Sequence, residues 1–202
     1  MDLTSPIMVG ALQTSLLELI AVAFGLLYVW YMKKESILAY PFGIINVLIY
    51  VYICFTSMLY AYAAINLFYF VMSLYGWYNW TRGGGGEEKL KITRCNKGEL
   101  LGNGLGLVFF FFLLWLLLSR YTDSHIPFWD ALTTSIYIIG MWLLAKKKVE
   151  NWLLWITGDF ISIGLFASEN LWFSSFQFLV FTVIAVFGYL EWNTKLKAGN
   201  YV

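Results

Sequence analysis

Seven long apolar runs divide the chain, at residues 14–32, 37–55, 58–80, 100–119, 127–145, 150–168 and 170–192. Each approaches the roughly 20 residues with which a helix crosses about 30 Å of hydrocarbon. None shows the short alternating strands of a membrane barrel, so each run predicts a transmembrane α-helix. Pro41 and Pro127 fall in first turns, where a missing N–H costs little. The longest polar interruption, Arg82 to Gly98, holds four consecutive glycines and mixed charges, and reads as a flexible linker.

The basic residues set the orientation. With the N-terminus outside, the inner loops and tail hold Lys33, Lys34, Arg82, Lys89, Lys91, Arg94, Lys97, Lys146, Lys147, Lys148, Lys195 and Lys197, and the outer side holds Arg120. This is the excess of cytoplasmic Lys and Arg expected of a multi-pass protein with its C-terminus inside. Composition agrees: 12% of residues are charged and 60% hydrophobic, whereas a soluble domain carries about a quarter charged. The clusters lie between apolar runs and the net charge is +1, so they point to no nucleic-acid partner. No Lys or Arg precedes Lys33. The basic start of a cleaved signal peptide is missing, and the first run should persist as a helix. Cys54 and Cys95 fall on opposite sides of the membrane in this topology and should not pair, and no Cys/His cluster suggests a metal.

Two halves of the chain keep register. Lys33–Lys34 and Lys146–Lys147 end the first and fifth helices, 113 positions apart. Asn46 and Asp159 are the central polar residues of the second and sixth, also 113 apart. Gly76-Trp77-Tyr78-Asn79-Trp80 and Gly188-Tyr189-Leu190-Glu191-Trp192 close the third and seventh, 112 apart. Residues 1–82 therefore form a first three-helix repeat, 83–125 a cytoplasmic linker with a connector helix, and 126–202 a second repeat with the tail. The odd connector makes the two triads parallel. The expected fold is an all-α integral membrane protein of three plus one plus three helices, with its site near the midplane between the halves. Gly76, Gly188 and the adjoining tryptophans read either as hinges or as interfacial anchors, and Trp80 and Trp192 as anchors.

Polar groups inside spans are costly and mark sites or pathways. Asp159 is the one acid at mid-depth; Glu18 and Asp130 lie close to the outer interface. Asn46, Asn66 and Gln177 share its depth, Asn66 and Gln177 at corresponding places in the two halves. Helical spacing adds Tyr50 beside Asn46, then Tyr69, Phe70 and Ser73 beside Asn66. It also sets Ser162 near Asp159, and Phe173 and Phe181 around Gln177. Each amide alone could simply join helices. Together, Asn46, Tyr50, Asn66, Tyr69, Phe70, Asp159, Gln177 and Phe181 form a candidate substrate site. Amides and one carboxylate hydrogen-bond hydroxyls and a ligand amide, and aromatic faces hold a flat ring and attract a cation.

With these features the sequence resembles the PnuC family of bacterial vitamin transporters over essentially its whole length. The resemblance rests on the three-plus-one-plus-three plan, on Tyr40-Pro41-Phe42-Gly43-Ile44-Ile45-Asn46, and on the two Gly-aromatic-x-x-Trp helix ends. The family is similar to the SWEET sugar transporters, but this chain has no Pro-Gln dipeptide of a SWEET or PQ-loop protein. The resemblance implies uptake of nicotinamide riboside across the bacterial cytoplasmic (inner) membrane by facilitated diffusion, with cytoplasmic phosphorylation trapping the product. It also implies a homo-oligomer, a trimer, and no cofactor. Thiamine and riboflavin are alternative cargoes, being flat heteroaromatics with polar groups. No Walker-type phosphate loop appears. A retinal protein needs a lysine inside its last helix, and 170–192 contains none. An intramembrane enzyme is disfavoured because the single histidine, His125, lies in an outer loop.

Overall fold

A computed structural model describes residues 6–9, 12–56, 60–82, 90–122, 124–168 and 172–198. A short antiparallel hairpin, β1 (Pro6–Val9) and β2 (Leu12–Ser15), leads into seven helices. These are α1 (Leu16–Lys33), α2 (Ala39–Thr56), α3 (Tyr60–Arg82), α4 (Lys97–Tyr121), α5 (Pro127–Ala145), α6 (Asn151–Ser168) and α7 (Trp172–Lys197). The first apolar run gives up Thr14 and Ser15 to the hairpin, where they pair with Ile7 and Pro6; both are indifferent helix formers. At the other end α7 runs past Trp192 to Lys197, because polarity ends a membrane span without ending a helix.

Five of these helices are long and apolar enough to cross a membrane: α1, α2, α4, α5 and the Ser174–Lys197 part of α7. Helices α3 and α6 have similar lengths, but they carry Asn66 and Ser73, and Asp159 and Ser162. Their lower hydropathy reflects what they line.

α1, α2 and α3 pack in succession, as do α5, α6 and α7. The groups meet through α1 against α7 and α3 against α5, while α4 packs on α5. None of the residues of α4 is buried, and Leu101, Phe109 and Tyr121 stand exposed on it. In a bilayer such a face is covered by lipid tails or by apolar protein. α4 begins on a capping box: the Asn96 side chain accepts from the Glu99 N–H, and the Glu99 carboxylate accepts from the Asn96 N–H.

One end of the bundle gathers the basic loops. The α1–α2 and α5–α6 turns both close as Schellman motifs. Glu35 N–H donates to Met32 O at 2.9 Å and Ser36 N–H to Tyr31 O at 2.9 Å; Lys147 N–H donates to Leu144 O at 3.0 Å and Lys148 N–H to Leu143 O at 3.0 Å. Glu35 (φ 60°) and Lys147 (φ 51°) occupy the left-handed position.

The linker expectation needs correction at this end. Residues 83–89 lie outside the described residues, but Leu90–Asn96 forms a packed strap. Thr93 N–H donates to Lys147 O and Val149 N–H to Thr93 O, both at 3.0 Å, and Cys95 N–H donates to the Glu150 carboxylate at 3.0 Å. Ile92, at 1% exposure, joins the buried cluster of Met32, Tyr40, Trp80, Val149, Trp152 and Trp192. Leu90 packs against the same cluster, so two apolar side chains and a run of paired backbone groups seat the strap. Burial first, then the Glu150 and Glu99 carboxylates, push the Cys95 thiol up to about 11. Cys54 and Cys95 are both free.

Candidate functional site

Between the two groups of three helices lies a cavity of about 460 Å³, lined from every helix except α4. Its size suits a small molecule, for which about 300–1,000 Å³ is usual. At its centre Asp159 of α6 is 4% exposed. The Tyr137 hydroxyl of α5 donates to its Oδ1 at 3.0 Å and lies 2.9 Å from Ser162 Oγ. This approach depends on Gly158, since a Cβ there would stand 2.5 Å from Tyr137 Cε1. Trp155 stacks on the Tyr137 ring with centroids 5.3 Å apart. A buried carboxylate with a hydroxyl donor at a fixed angle can face a cationic ring or accept from ligand hydroxyls.

Across the cavity Asn46 of α2 lies against Gly25 of α1 and donates from Nδ2 to the Ala21 carbonyl at 2.7 Å. Asn46 thus joins two helices and also lines the cavity. Tyr28 rests on Gly43, where a Cβ would be 2.6 Å from its ring, and its hydroxyl reaches Met141 Sδ at 3.7 Å.

Seven of the eight residues predicted from the sequence line this one cavity: Asn46, Tyr50, Asn66, Tyr69, Asp159, Gln177 and Phe181. Phe70 does not line it. Tyr69 and Ser73, three and seven positions past Asn66, share its face, and Phe70 is turned about 100° from Tyr69 around the helix. Ser162 reaches Asp159 through the Tyr137 hydroxyl. The Phe173 side chain lies outside the described residues. Sequence reasoning missed Tyr28, Tyr137, Trp155, Phe166 and Phe178, all of which line the cavity. For Tyr28 and Tyr137 the signal was a helical glycine opposite each, Gly43 and Gly158, which the sequence alone does not pair with its ring.

Trp80 and Trp192 are also corrected: they are not interfacial anchors. They are 2% and 0% exposed, their rings lie 5.8 Å apart, and their Nε1 groups donate to Leu144 O and Lys33 O at 3.1 Å. They pack in one cluster with Met32, Leu144 and Trp152, which line the cavity. Among the described residues no cluster of His, Cys, Asp and Glu could hold a metal.

Residues 15–194 match the family model described as nicotinamide mononucleotide transporter. The nicotinamide riboside transporter PnuC of Escherichia coli (strain K12) is 32% identical, over 96% of this chain and 92% of its own length. The protein of the same name from Neisseria mucosa is 25% identical, over 91% and 74%. The riboflavin/roseoflavin transporter RibM of Streptomyces davaonensis is 27% identical over 60% and 58%. The crystal structure of the vitamin B3 transporter PnuC shares the fold, with a TM-score of 0.73 at 25% identity, covering 91% of this chain and 83% of that one. The chain therefore belongs to the PnuC family, a family of multi-pass membrane transporters and not of enzymes.

Proposed function

We propose that the chain carries nicotinamide riboside through the cavity between its halves by facilitated diffusion, with cytoplasmic phosphorylation trapping the product. Asn46, Asn66, Asp159 and Gln177 supply polar contacts; Tyr50, Tyr69 and Phe181, with Tyr28, Tyr137 and Trp155, supply the aromatic walls. The observation that carries this reading is the charge of the lining. Asp159 is the one ionisable carboxylate there, and no Lys, Arg or His stands among the described lining residues. Such a lining favours a pyridinium nucleoside and rejects a phosphate, which needs Arg, Lys or a helix N-terminus. The unphosphorylated riboside thus fits better than the mononucleotide of the family description.

The reading includes two parallel repeats, a basic end in the cytoplasm, a bacterial inner-membrane setting and a homo-oligomer. The exchange of contacts supports the repeats, α1 with α7 answering α5 with α3. So does the seating of Tyr40 on Gly76 and of Trp152 on Gly188. Facilitated diffusion is favoured because Asp159 stands without a chain of further acids or histidines to relay a proton.

Calorimetric titration of the purified protein with nicotinamide riboside, its mononucleotide, thiamine and riboflavin tests the cargo. Binding of the riboside alone supports the reading. Preference for the mononucleotide would overturn the charge argument. Riboflavin is the second reading, on the strength of the Streptomyces relative, and its selective binding would keep the fold and change the cargo. Uptake into proteoliposomes should ignore a protonophore.

A further inference from the structure

Beneath the cavity the basic end is shut by three residue pairs that answer each other across the two halves. Glu35 and Lys147 stand 112 positions apart, each at the left-handed turn residue of a Schellman motif. Glycine is the usual occupant of that position, because it has no Cβ to clash. Here it holds two opposite charges, and Lys147 Nζ lies 2.7 Å from Glu35 Oε1 with side chains 4% and 14% exposed. The same ammonium donates to Leu90 O of the strap at 2.8 Å and sits 4.5 Å over the Trp80 ring. A backbone conformation this unfavourable at two matched sites points to a role for the side chains it presents.

Trp80 and Trp192 form the second pair, in ring contact. Tyr40 and Trp152 form the third, each set edge-on to one of those tryptophans, with centroids 5.2 Å and 5.5 Å apart. Tyr40 Oη and Trp152 Nε1 are buried without a hydrogen-bond partner among the described residues. Orphaned polar groups of this kind are rare and ask for an explanation. They oppose the closed state, since each would gain water or a solute hydroxyl once the helices part. The ion pair and the ring contacts favour closure. Opposed terms of this kind make an element with two states.

We propose that the Glu35–Lys147 ion pair is the lock of a cytoplasmic gate whose floor is Tyr40, Trp80, Trp152 and Trp192, with Tyr40 and Trp152 poising that floor to open. The proposal rests on the transporter reading and on the basic end facing the cytoplasm. Its test needs no substrate. In a background carrying Cys54→Ala and Cys95→Ser, Ala185→Cys places a thiol at the buried base of the cavity. Inside-out vesicles are treated with a membrane-impermeant maleimide, and the labelling rate reports opening of the floor.

Lys147→Met and Glu35→Gln keep side-chain shape and remove the charge pair. Each should raise the rate by roughly ten-fold, within the range that breaking a buried pair allows. Tyr40→Phe deletes the orphan oxygen and keeps the ring, so it should lower the rate. That arm stands even where a charge variant fails to assemble. Any other ordering of the parent, the charge variants and Tyr40→Phe overturns the proposal. Correct ordering without uptake of any vitamin would sink the cargo and leave the gate; uptake of the riboside with one common labelling rate would do the reverse.

Discussion

Gly158→Ala tests whether the Tyr137 hydroxyl sets the Asp159 carboxylate for a ligand. The new Cβ would lie 2.5 Å from Tyr137 Cε1, 3.0 Å from Cζ and 3.1 Å from Cδ1. Carbon atoms rest about 3.5–4.0 Å apart, so the ring must retreat by about 1 Å. It has little room to do so, because Trp155 is stacked on it at 5.3 Å and its hydroxyl is tied to Asp159 and Ser162. Overpacking of this kind costs about 1–3 kcal/mol, and replacing a helical glycine by alanine returns about 1 kcal/mol. The net is a loss of up to about 2 kcal/mol, together with a displaced donor at the carboxylate. Gly164→Ala is the control on the same helix, since nothing lies within 4 Å of a Cβ there. Thermal unfolding in detergent should rank Gly164→Ala at or above the parent and Gly158→Ala below it. Calorimetry should find nicotinamide riboside bound roughly ten-fold more weakly, about one charge-assisted hydrogen bond, by Gly158→Ala alone. Equal melting and equal affinity in the two variants would refute the role given to Tyr137.

Nicotinamide mononucleotide should bind roughly a hundred-fold or more weakly than the riboside, because its phosphate enters a lining with one carboxylate and no described cation; competitive titration reads the ratio. The Gln177 side chain lines the cavity and is only partly buried. Gln177→Ala should therefore weaken riboside binding and leave the melting temperature unchanged. Asn46→Ala should lower both, since it also removes the bond to Ala21 O, worth about 1 kcal/mol. Trp192→Phe should destabilise the protein by about 1–3 kcal/mol, because the Lys33 carbonyl loses its indole donor inside a packed cluster; an interfacial anchor would cost far less in the same unfolding assay.

Helices were legible here because each span is a continuous apolar run, and their ends moved only where polarity and helicity part company. Tyr28 and Tyr137 were not legible as cavity residues. Helices that are apolar on all sides carry no stripe to show which face turns inward, and the chain holds 14 tyrosines. Polar residues broke that degeneracy: Asn46, Asn66, Asp159 and Gln177 were found because a buried amide or acid is expensive wherever it points. Tyr69 and Phe70 both satisfy helical spacing from Asn66, so spacing alone did not show that Tyr69 lines the cavity and Phe70 does not. The strap was not legible because Leu90 and Ile92 are two apolar residues among charges, and only the burial of Ile92 at 1% exposure, with Leu90 packed beside it, distinguishes the segment from a solvated loop. Trp80 and Trp192 stand at helix ends, where an exposed anchor and a buried plug have the same sequence position.

On the repeat reading, the two halves use one backbone and exchange what stands on it. In the first half a glycine of the first helix, Gly25, receives the polar side chain of the second, Asn46. The matched turn residues Glu35 and Lys147 set the offset at 112, one less than Lys33 with Lys146 and Asn46 with Asp159 suggest from the sequence. The sizes are then reversed in the second half, where Tyr137 answers Gly25 and rests on Gly158, which answers Asn46. In each half a glycine on one helix makes room for a larger side chain of the other. The chemistry is not conserved. One wall presents an amide spent partly on a backbone carbonyl, and the other a tyrosine that holds a buried carboxylate. A two-fold symmetric lining would hold a solute equally well in two opposite poses. Nicotinamide riboside has a charged ring at one end and hydroxyls at the other, so an unequal pair of walls selects one pose. By contrast, the floor sets matched positions against each other, Trp80 against Trp192 and Glu35 against an oppositely charged Lys147. Direct contact between matched positions suits the proposed gate, whose two sides must part together, and inequivalent walls suit the proposed binding site. On this reading one duplication accounts for both the proposed gate and the proposed site, with divergence concentrated at the site.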